Sequence, residues 1–156
     1  MSMIVAGSQV RAANMGAAVR RAAAALPQTA QSALFTVTNG SIIVTGLIGE
    51  VTTAIQAQAT TVQIIANPSG AGTDVNLTNS TGDLNGKEVG STVTLPATLG
   101  GTASVSLAGG NVLPLGSGFV VRPGTIDLKT GASSTGAVKW TLFYLPLDDN
   151  ATVSAA

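Results

Sequence analysis

The chain has 156 residues, only 9% of them charged, and its seven basic residues balance seven acidic ones to a formal net charge of zero. Soluble globular domains carry roughly 25% charged residues, so association is weakly opposed here and much of the surface is expected to lie against partners. There is no Cys and no His, which excludes disulfides, thiolate metal sites and the usual His-assisted nucleophile.

The length allows one domain plus an appendage, and no apolar run approaches the ~18 residues of a membrane-spanning helix. Met1–Leu26 is Ala-rich, has no acidic residue and holds Arg11, Arg20 and Arg21. Ala12, Met15, Val19, Ala22 and Leu26 follow a 3-4-3-4 spacing that predicts one face of a helix, weakened by Asn14 and Gly16 and stopped by Pro27. The two arginines interrupt the apolar stretch, and Ala22–Leu26 is a short h-region, so a signal peptide is not expected. The alternatives for this stretch are a helix packed on its own domain and an arm docked on a neighbouring subunit. An acidic protein surface suits an arm with Arg11, Arg20 and Arg21. Nucleic acid does not, because three cations without interleaved aromatics make a weak phosphate footprint.

Pro27–Ala33 reads as a polar linker, so the expected division is an arm and linker over residues 1–33 and a β domain over residues 34–156. Leu34–Thr38 leads into Asn39-Gly40, a strong hairpin signal, and Ser41–Leu47 follows. Gly49–Ala66 alternates Val51, Ile55, Ala57 and Ala59 against Thr52, Gln56, Gln58 and Thr60; after Thr60 the apolar phase slips by one, to Val62 and Ile64. Period-two alternation predicts a strand, and the slip predicts a bulge or a change of pairing partner within one long central strand. Thr73–Thr78 is a further strand with Val75 and Leu77 inward, and Asn79–Gly90 a polar excursion. Ser91–Leu95, Ala103–Leu107, Phe119–Arg122 and Thr125–Lys129 are short strands separated by Pro and Gly. The last run, Ala137–Leu147, is apolar on both faces and is expected to be central. Eight or nine short, evenly spaced strands predict an all-β, jelly-roll-like sandwich with an N-terminal Ala-rich helical arm.

Little in the chain points to chemistry. Asp148-Asp149 is the one adjacent carboxylate pair and reads as a solvated turn closing the last strand. Asp83-Leu84-Asn85-Gly86 starts like a calcium loop, but the pattern fails at the following positions. Glu50 is expected to face solvent or to pair with an Arg across a subunit contact. Trp140 and Tyr144 sit in an apolar strand and read as core before they read as a sugar platform. No catalytic residue, metal ligand or cofactor site is assigned.

Two stretches carry a resemblance: Ser32–Gln56, with Phe35-Thr36-Val37, Asn39-Gly40 and Gly49-Glu50-Val51-Thr52, and Val138–Asp149, with Trp140, Leu142, Tyr144 and Pro146-Leu147. They resemble the small β-sandwich decoration (cement) proteins of tailed-bacteriophage capsids. The resemblance implies a non-enzymatic virion protein on the outer capsid surface, a homotrimer that cements neighbouring major capsid subunits, with neither nucleic acid nor membrane as partner. The arm residues Arg11, Met15, Val19, Arg20, Arg21 and Leu26 are the candidates for partner binding. The alternative is a tail, fibre or head-fibre domain that binds a host surface glycan.

Overall fold

Ala137–Leu147 is apolar on both sides of an extended chain, and such a strand is stable only with neighbours on both edges and cover on both faces. A computed structural model describes residues 6–156 and gives it both neighbours, with its inner face covered from Val138 to Tyr144 and its outer face covered at Phe143. In chain order the elements are α1 (Gly7–Met15), β1 (Ala17–Ala25), β2 (Gln31–Thr38), β3 (Ile42–Thr53), β4 (Thr61–Pro68), β5 (Val75–Asn76) and β6 (Gly82–Asp83). Then come β7 (Thr92–Thr94), β8 (Ser104–Ser106), β9 (Phe119–Val121), β10 (Gly124–Thr130), β11 (Ala137–Pro146) and β12 (Thr152–Ala155). Sheet A has the order β1-β11-β3-β7-β8, with β9 also on β3; sheet B has the order β12-β2-β10-β4-β5, with β6 also on β4.

Among these, β1-β11-β3-β9 faces β2-β10-β4-β5. Along that subset every connection crosses between the sheets except β4 to β5, which is the winding of a jelly roll. The strands β6, β7 and β8 are inserted between β5 and β9, and β12 is added at the edge of sheet B beside β2. Phe35, Ile42, Leu47, Ile64, Ile126 and Leu142 lie fully buried between the sheets, with Trp140 and Val138 beside them. Each such side chain contributes roughly 1.5–3 kcal/mol by leaving water.

The N-terminal segment departs from the helix expected over Ala12–Leu26. The helix ends at Met15, and Ala17–Ala25 is a strand paired antiparallel with β11 from Ala17 opposite Tyr144 to Ala25 opposite Ala137. Alanine favours helix by only tenths of a kcal/mol per residue, whereas the open edge of β11 offers a full ladder of backbone hydrogen bonds. The switch occurs at Gly16, whose φ is +82°; a side chain there would run into the Tyr144 carbonyl. The 3-4-3-4 stripe is therefore broken: Met15 closes the helix, Val19 packs at the margin of the core, and Leu26 is buried within it. Pro27–Ala33 is not linker throughout, since β2 already begins at Gln31. The part of the expected arm at Met1–Val5 lies outside the described residues.

Two other expectations fail for one reason, which is that turns in this fold carry the chain between sheets. Gly49–Ala66 is not one strand. It is the end of β3 in sheet A, a connection in which Ala57 and Ala59 are exposed, and the start of β4 in sheet B. The phase slip at Thr60 marks that passage, and the buried Ile55 anchors it. Asn39-Gly40 does not form a hairpin, because β2 and β3 belong to different sheets. Asn39 and Gly40 do take positive φ, and Asp148 packs on Gly40 and accepts the Ser41 N–H at 2.6 Å. Asp148 thus closes a corner between the start of β3 and the end of β11. Val75, expected inward, is 43% exposed, while Leu77 is buried.

Candidate functional site

Three surfaces stand out. The first is α1 and the strand after it. The helix buries no residue; nine residues are too few for a helix to be stable on its own in water. Its N-terminus is capped from within, where Gln9 accepts the Ala6 N–H at 3.0 Å, and its C-terminus is tied to β3, where the Thr45 hydroxyl donates to the Met15 carbonyl. Arg11 on α1 and Arg20 on β1 are exposed and have no ion-pair partner among the described residues. Arg21 is half-buried, and its Nε donates to the Ala156 carbonyl at 3.1 Å, tying the free edge of sheet A to that of sheet B. Of the six candidate residues, Met15, Val19, Arg21 and Leu26 make contacts inside the protein, and Arg11 and Arg20 are exposed to solvent.

The second surface is the outer face of sheet A. Register places Val120 of β9 opposite Ile43 of β3, and Ile43 opposite Leu145 of β11. Val120 is 64% exposed and Leu145 41%, with Leu115 of the preceding loop at 69%. An outer face met only by water alternates to polar at such positions. Higher on the same face, Phe143 is only 6% exposed, and Met15, Leu113 and Phe143 converge over Gly46. One end of the face is thus covered by the chain itself, and the other is open. The signal lay in Ile42-Ile43-Val44 and Phe143-Tyr144-Leu145, where apolar residues run on without alternating. Still further along, Glu50 is not paired with an arginine; Lys139, directly opposite on β11, holds it at 3.0 Å.

The third is a cleft of about 640 Å³ where β4 and β5 part from β9. Ala66, Leu77, Phe119 and Val121 line it, Leu99 and Val120 stand at its rim, and Arg122 is its one charged group. Sequence reasoning missed it, since its walls come from three separate stretches of chain, residues 66–77, 97–99 and 118–122.

The carboxylates do not converge. Among the described residues no three of Asp, Glu, His and Cys are grouped as for a metal ion. Asp83 accepts the Asn85 N–H at 2.8 Å and serves a turn. Asp127 on β10 is 4% exposed: its Oδ2 accepts from Gln31 at 2.7 Å and from Asn67 at 3.4 Å, while its Oδ1 has no donor. Such a buried, half-satisfied carboxylate weakens the fold unless water reaches it. Trp140 is 2% exposed and Tyr144 8%, so both are core residues rather than a sugar-stacking platform. Comparison of the chain with protein-family models, with curated proteins and with solved structures gives no match.

Proposed function

We propose that this protein is a virion structural subunit that decorates the outer surface of a tailed-phage capsid and cements neighbouring major capsid subunits, as a homotrimer. The observation that carries the reading is the outer face of sheet A, where Val120, Ile43, Leu145 and Leu115 form an open apolar row on a chain with zero net charge. Such a row suits burial against a second copy, which carries no net charge to repel the first. In this reading α1 and β1, with Arg11 and Arg20 free, reach acidic shell surface, and many weak contacts around each particle sum by multivalency.

Two measurements test it. In purified particles of the virus that carries the gene, the protein is expected at a copy number comparable with that of the shell subunit; a handful of copies places it at the tail or fibre instead. Deletion of residues 2–14 removes the exposed body of α1 but keeps Met15 over Phe143 and all of β1, so thermal unfolding of the sandwich is expected to change little while shell binding is lost. Retained binding would refute the role of α1.

A further inference from the structure

We infer that the cleft between β4, β5 and β9 is a binding site for a small amphiphile with an apolar body and a single anionic end. The inference does not depend on the assembly role. A cleft of about 640 Å³ lies in the range of small-molecule sites, which are concave and mostly apolar with a few polar groups that orient the ligand. Its walls come from both sheets, with Ala66 and Leu77 on one side and Phe119 and Val121 on the other. All four of these residues are buried in the sandwich, so the walls are rigid and the cleft is formed before any ligand arrives.

The rim supplies the charge preference. Arg122 is exposed, lines the cleft and has no carboxylate partner among the described residues, and no acidic residue lines the cleft. A guanidinium beside apolar surface favours an anion by charge-assisted, bidentate hydrogen bonds and disfavours a cation. Leu99, 57% exposed, and Val75, 43% exposed, stand on the cleft wall and lose water when an apolar chain lies against them. A neutral hydrocarbon would leave the guanidinium unused, and a cationic amphiphile would meet it head on.

The test uses the full-length protein with two probes of equal tail length and opposite charge, decanoate and decyltrimethylammonium, both below their micelle concentrations. Decanoate is expected to shift the backbone amide resonances of Val75, Leu77 and Leu99 with one-site saturation, and the cation to bind at least about tenfold more weakly. R122E should reverse that order. A97W, at an exposed wall position where the fold tolerates bulk, should weaken both probes. Absence of saturation by decanoate, shifts centred away from the cleft, or an unchanged preference in R122E would each overturn the inference.

Discussion

On the outside of sheet A the residues opposite one another across β9, β3 and β11 are Val120, Ile43 and Leu145; on the outside of sheet B, across β2, β10 and β4, they are Gln31, Lys129 and Gln63. Both rows belong to antiparallel sheets of the same sandwich and pack their other faces on the same core. Packing on the shared core makes the same demand of both sheets, so it does not account for the difference between their outer rows. The row on sheet B is polar, as expected of positions kept in water. Sheet A is covered by Met15 and Leu113 at one end and left apolar and open at the other. The apolar row on sheet A, in a chain with so few charges, is the feature on which the proposed association rests.

The largest effect that would break this comparison is at Phe143. If α1 and the loop through Leu113 cover it as described, Phe143→Ala costs about 3–5 kcal/mol, a fall in Tm on the order of 10 °C by calorimetry. A loss under ~1 kcal/mol would mean that this end of sheet A is open as well. On sheet B, Gln31→Ala leaves the buried Asp127 carboxylate with only the long contact to Asn67. Urea unfolding should show a loss of about 1–3 kcal/mol with no change in association. The double variant Val120→Thr, Leu145→Thr should do the opposite. Each exposed site changes stability by no more than about 0.5 kcal/mol, while sedimentation should show the proposed trimer giving way to monomer. The smallest effect is at the ion pair on sheet A. Both partners are nearly half-exposed, so Lys139→Ala should cost about 0–1 kcal/mol, and the difference should fade at high salt.

Much of the sandwich was legible because strand signals are local. Val138, Trp140, Leu142 and Tyr144 alternate in the sequence and point together into the core, and the central place of β11 follows from its two apolar faces. Ser91–Leu95, Ala103–Leu107, Phe119–Arg122 and Thr125–Lys129 each contain a strand where period and punctuation placed one. What failed was pairing. Asn39-Gly40 has the backbone of a tight turn, but a turn does not declare whether its flanking strands pair or part. The alanines of β1 carry no period of two, and their strand exists because β11 has an edge to fill. The tail Thr152–Ala155 is short and weakly apolar, and became β12 because β2 had one too.

The sequence by itself determined the class of the fold, the low charge, the absence of His and Cys chemistry and the place of Ala137–Leu147 away from a sheet edge. Those depend on composition and on neighbours a few residues apart. Only the tertiary structure decided the order of the strands within the jelly roll, that residues 17–25 join it, and that Val120, Ile43 and Leu145 form one row. The cleft beneath Arg122 likewise exists only once β4 and β9 stand opposite each other. Such features arise from contacts between segments distant in the chain, where the spacing of side chains along the sequence carries no distance information.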